Sequence, residues 1–133
     1  MFYNNKPAIT QKKHNKNPIP KAIRVAVWKK YHGDSMVGIC YVCGVKLDFT
    51  CGYHCAHVIA EAKGGKIEVD NLRTSCGHCN KSMGDLNLYV YIQNKMDKGD
   101  EKIGPGRKNV KKYFKANPKQ LNDIRTNYFL ANK

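Results

Sequence analysis

The sequence predicts a small α+β domain, stapled by a metal and flanked by helices. Three observations carry this. Cys40-x-x-Cys43 and Cys76-x-x-Cys79 form two cysteine pairs with 32 residues between them. Short runs beside the pairs alternate apolar and polar residues, as half-buried strands do. Longer runs before and after them place apolar residues four apart, as amphipathic helices do. A chain of 133 residues with a 41% hydrophobic fraction supports one domain with a modest core. A domain of this size gains from a metal staple.

Residues 1–17 are polar, basic and aperiodic, and are expected to form a flexible arm. Residues 18–133 are expected to form a single domain, with a core over 36–98 and a basic helical extension over 99–133. Pro18 and Pro20 close the arm, and Pro20 suits the first turn of a helix over 22–31. Ile23, Val27 and Tyr31 share one face of that helix, and Gly33 stops it. Trp28 is read as its packing anchor, with nucleotide stacking as the alternative.

A strand over 36–39 feeds the first cysteine pair, and Gly44 suits the tight turn of a zinc knuckle. Val45, Leu47 and Phe49 alternate, predicting a strand that leaves the knuckle. An extended run over 53–60 follows, then a loop over 61–70 opened by Gly64-Gly65, read as a plain turn. A brief strand over 72–75 leads to the second pair. A helical segment begins at Asn80 and breaks at Gly84. Asp85 is a candidate cap for a helix over 86–98 with Leu88, Ile92 and Met96 on its apolar stripe and Gly99 at its end. Beyond a turn-rich connection (98–108), short helix is expected over 110–115. Asn117 and Pro118 open a last helix over about 118–131, packing through Leu121, Ile124, Tyr128 and Phe129.

Two cysteine pairs, each on one tight turn, can complete a tetrahedral shell of four thiolates. Such a site is structural, because it leaves no open position. A redox role for one pair would not explain the other, and unliganded buried thiols are the remaining alternative. Cys51 and Cys55 read as packed thiols, with a second metal site beside His54 as the alternative, and His78 reads as a solvent-facing knuckle residue, with replacement of a cysteine ligand as the alternative.

The net charge is +14, and its distribution matters more than its size. Residues 1–33 carry eight Lys or Arg and no acid, 34–94 carry five basic and six acidic residues, and 95–133 carry eleven and four. A near-neutral centre between two positive ends suits a polyanion, most simply nucleic acid. A solvated basic surface is the plain alternative. No apolar run approaches the ~20 residues of a membrane span, and the N-terminus lacks the apolar block of a secretory signal. An intracellular location is therefore expected, in cytoplasm or nucleus.

The stretches Cys40-x-x-Cys43, AHVIAEAKGG (56–65) and NLRTSCGHCN (71–80) together resemble the HNH nucleases, whose fold is the ββα-metal motif. The tail NLRxxCxxCNxSMG is similar to HNH proteins of large DNA viruses and phages. The resemblance implies a metal-dependent endonuclease acting on DNA, double-stranded by preference, as a monomer or homodimer. It implies structural Zn²⁺ on Cys40, Cys43, Cys76 and Cys79, and catalytic Mg²⁺ or Mn²⁺. By the same resemblance His57 is the general base, Asn71 braces the loop that orients it, and Asn80 is a metal ligand. An Asn carbonyl oxygen suits a hard cation. One position departs from the pattern: many members carry a metal-binding Asp directly before the base, where this chain has Ala56. His54, on the same strand face as position 56, is the candidate substitute; a cation held by Asn80, water and phosphate is the other. Arg73 and Lys81 are candidate phosphate contacts, with plain surface charge as the alternative.

Each site residue also has a structural reading. His57 alone would be a core histidine, Asn71 a loop cap and Asn80 a helix cap. The competing function is a catalytically inactive, zinc-dependent nucleic-acid-binding module. Nucleobase deamination fits poorly, because it needs His-x-Glu and Pro-Cys-x-x-Cys, whereas Glu61 lies four residues after His57 and Ser75 precedes Cys76.

Overall fold

The computed structural model describes residues 17–120. Helix α1 (Lys21–His32) starts where the Pro20 carbonyl accepts from the amides of Ile23 and Arg24. It ends at Gly33, whose φ of +60° favours a residue without a Cβ. Trp28 is fully buried and is the anchor the sequence suggested. Its indole Nε1 donates to the Ser35 carbonyl at 2.7 Å, and its ring packs on Phe49, Tyr53 and His32.

Two antiparallel hairpins follow. Strands β1 (Val37–Ile39) and β2 (Lys46–Asp48) pair with Gly38 opposite Leu47. Strands β3 (His54–His57) and β4 (Leu72–Ser75) pair with His54 opposite Ser75 and His57 opposite Leu72. The hairpins are tied where the Tyr41 amide donates to the Thr74 carbonyl at 2.9 Å. Helix α1 packs on β4, and α2 (Gly77–Met83) packs on β3. A small α+β fold with a cysteine staple is therefore what the chain adopts.

The boundaries shift from expectation for identifiable reasons. The extended run over 53–60 yields a strand only to His57, because Val58 turns its amide to the Asn71 carbonyl and Ile59 bonds the Asn71 side chain. Helix α2 starts three residues before Asn80, at the second knuckle. Helix α3 (Leu88–Asp97) is capped by Asn87, not Asp85: the Asn87 Oδ1 accepts from the amides of Tyr89 and Val90. Leu88 donates its own amide to Val58, which sets where the helix can begin. Leu88 and Ile92 are buried with Tyr89 and Val90. A 3-10 turn (Pro105–Asn109) leads into α4 (Val110–Ala116), whose Val110 and Phe114 are buried. Residues 1–16 of the expected arm, and the expected last helix beyond Gln120, lie outside the described residues.

Candidate metal centre and active site

The first knuckle closes where the Gly44 amide donates to the Cys40 carbonyl at 2.9 Å and the Cys43 amide points to the Cys40 Sγ at 3.5 Å. Gly44 takes φ +79° there, a conformation that favours glycine. The second knuckle repeats the pattern: Asn80 donates to the Cys76 carbonyl, and the Cys79 amide points to the Cys76 Sγ at 3.4 Å. Cys40, Cys43, Cys76 and Cys79 thereby bring four sulfurs within 4.8 Å of one another, with Cys43 and Cys76 at 3.9 Å. A tetrahedral shell with arms of about 2.3 Å has edges of about 3.8 Å, so the cluster fits one zinc ion.

The electrostatics agree. Burial, then the neighbouring Cys40, pushes the Cys79 thiol far above its ordinary range, and burial also raises Cys43. At Cys76 burial works the same way, but the Cys79 amide and the facing thiols outweigh it and lower its pKa. Four thiolates in this space need a cation.

The staple reaches the second hairpin directly. Cys76 follows Ser75, the last residue of β4, and caps α2. Asn80 consequently sits in the first turns of α2, facing β3, with its Nδ2 3.5 Å from His54 Nδ1. The amide oxygen and nitrogen are interchangeable by a flip, so this is also the approach of a carbonyl oxygen to an imidazole nitrogen. Adjacent ligands on an octahedral Mg²⁺ at about 2.1 Å lie about 3 Å apart. Asn80 and His54 are thus residues that could hold a divalent cation.

His57, at the end of β3, opens onto the same cleft. This cleft, about 180 Å³, is lined by Asn17, Ile19, Arg24, His54, Cys55, His57 and Asn80. Ala56 is fully buried and is not among the lining residues. Asn71 lies behind it. Its Oδ1 accepts from the Ile59 amide at 3.0 Å, and its Nδ2 donates to the carbonyls of Ile59 and Lys66 at 3.1 and 3.0 Å. One side chain thus closes the loop that follows His57. Gly65 is required beneath it, since a Cβ there would lie 1.7 Å from the Ile59 carbonyl oxygen. Gly64, at φ +94°, makes the turn.

Arg73 and Lys81 stand apart from these residues. Arg73 donates to the carbonyls of Asp70 and Leu72, and its guanidinium lies 5.5 Å from the rings of both Tyr31 and Tyr41. That is a half-buried structural setting. Lys81 is exposed on α2, next to Asn80. His78 is exposed, Cys55 is buried with its thiol pKa raised by that burial, and Cys51 is exposed where a packed thiol was expected. Arg24 was read only as part of a helix; its place in the cleft depends on how α1 meets Tyr53, which no local pattern reveals.

Fold and thiol cluster define a small α+β domain whose two hairpins are joined through a four-cysteine metal site. Residues 40–87 match the family model described as HNH endonuclease. The match runs from the first knuckle to the cap of α3 and leaves out α1 and α4. Searches of curated proteins and of solved structures returned no match. Among the described residues, no helix is long and apolar enough to cross a membrane.

Proposed function

We propose that this protein is a metal-dependent endonuclease that hydrolyses DNA phosphodiester bonds. The observation that carries the reading is the convergence of His54, His57 and Asn80 on one open cleft, within the segment matching HNH endonucleases. His57 takes the proton from the attacking water, a role suited to an imidazole that is neutral near pH 7. Asn71 holds the following loop closed, and so fixes where the His57 backbone leaves the strand. Asn80 and His54 hold Mg²⁺ or Mn²⁺. The bound cation supplies charge neutralisation at the leaving 3′ oxygen. Zn²⁺ on the four cysteines is structural, keeping α2, and with it Asn80, against β3. The basic ends of the chain and Lys81 supply sequence-independent attraction to the phosphate backbone.

Ala56 favours a second reading, a zinc-dependent nucleic-acid-binding module without catalysis, since the position directly before His57 carries no carboxylate. Two variants separate them. Asn80→Ala should abolish cleavage with zinc content and fold intact. His57→Ala should abolish cleavage yet keep Mn²⁺-dependent DNA binding, because the base is not a ligand. DNA binding without cleavage by the wild type in Mg²⁺, Mn²⁺, Co²⁺ or Ni²⁺ would establish the binding module instead.

A further inference from the structure

Among the residues that line the His57 cleft, Arg24 is the one Lys or Arg. It comes from α1, outside the segment that matches the family. Its guanidinium is held in place rather than trailing in solvent. Nη2 donates to the Tyr53 carbonyl at 2.8 Å, the group lies 4.8 Å from the centre of the Tyr53 ring, and the Tyr53 hydroxyl donates back to the Arg24 carbonyl at 2.9 Å. Tyr53 directly precedes β3, so this clamp fixes Arg24 relative to His54 and His57. The wall beside it is fixed too: the backbone amide and Nδ2 of Asn17 donate to the two carboxylate oxygens of Glu61 at 3.0 and 2.6 Å.

Arg24 is in neither the Lys30–Asp70 nor the Lys95–Asp100 ion pair, and the side-chain partner it has is the neutral Tyr53. A guanidinium carries five N–H donors in a planar fork that matches phosphate oxygens in pairs. Tyr53 takes up one of them. We infer that Arg24 binds a backbone phosphate of the nucleic acid in the cleft beside His57, which makes α1 part of the active site. This rests on the nuclease reading for its substrate, but the anion site itself is testable without catalysis.

The test measures binding of a short DNA duplex in EDTA as a function of salt, for the wild type, Arg24→Gln and Arg24→Lys. Losing one phosphate contact should lower the log–log salt slope by about 0.9 for Arg24→Gln and weaken binding about tenfold or more. Arg24→Lys should keep the slope, because it keeps the charge. A merely structural Arg24 would not move the slope, so a folded Arg24→Gln protein with the wild-type slope overturns the proposal. Inorganic phosphate titrated into wild-type protein offers a route that needs no variant: the Arg24 Nε–H resonance should shift with saturation. An unmoved resonance at saturating phosphate likewise overturns it. A reduced slope in a protein that cuts no DNA with Mg²⁺ or Mn²⁺ would uphold the phosphate site and sink the nuclease reading alone.

Discussion

The two hairpins pair strands of similar length but are held in opposite ways. In β1–β2, Met36, Val37, Ile39 and Val45 remain about half exposed, at 51%, 46%, 44% and 49%. In β3–β4, Ala56, Leu72 and Ser75 are fully buried beneath α1 and α2. An isolated two-stranded hairpin is marginal in water. The first hairpin carries two of the clustered cysteines at its turn and buries Leu47 of its strands; the second is covered by two helices. The four-cysteine cluster takes one pair from the turn of the first hairpin and one from the end of the second, and the proposed chemistry lies on the second.

The largest effect should come from breaking the staple. Cys76→Ser leaves three thiols and disconnects the hairpins, and structural zinc is worth roughly 10 kcal/mol or more, comparable to the whole stability of a domain. We expect loss of bound zinc, about one ion per chain in the wild type, and an unfolded or aggregated product. A zinc-free protein with native near-ultraviolet dichroism would refute the comparison. Next is Gly65→Ala, whose Cβ meets the Ile59 carbonyl oxygen. Urea unfolding should register a loss of about 3 kcal/mol without loss of zinc. Asn71→Ala removes three hydrogen bonds from the loop behind His57. It should cost about 1–3 kcal/mol and lower cleavage by more than the unfolded fraction explains.

The smallest effect sharpens the comparison through pH. His32 lies between the hairpins: its Nε2 pairs with Thr74 Oγ1 at 2.8 Å and its ring lies against Trp28 and Gly38. Burial lowers its pKa below the ordinary 6.5. Below that value the unfolded chain takes up a proton that the folded chain resists, so this contribution is full above the ordinary pKa and is lost on acidification towards the lowered one. The stability of His32→Gln should therefore fall less steeply than that of the wild type between about pH 7 and pH 5, as measured by chemical denaturation.

Much of this was legible in the sequence because it is local. Cysteine spacing announced the staple, the 72–75 strand was read with its observed bounds, and Gly33, Gly84 and Gly99 marked ends that all take positive φ. What escaped was set by contacts across the fold. Asn87 rather than Asp85 caps α3 because Val58 captures the Leu88 amide. Arg73 lies among tyrosines contributed by α1, the first knuckle and α3, so its half-buried setting emerges only when these pack. Arg24 in the cleft belongs to the same class. Strand parity put His54 on one face with position 56, yet His54 is exposed at the cleft while Ala56 is fully buried and does not line it.

The claim at the centre of this account is that His57 works as a base in a metal-dependent cleft. Supercoiled plasmid incubated with wild-type protein and with His57→Ala, in Mg²⁺ or Mn²⁺ and in EDTA, tests it most directly. The wild type should give nicked or linear product with metal and none in EDTA, and His57→Ala should lose at least about a hundredfold in rate, as expected for a general base. Cleavage by His57→Ala at the wild-type rate, or by the wild type in EDTA, would contradict it.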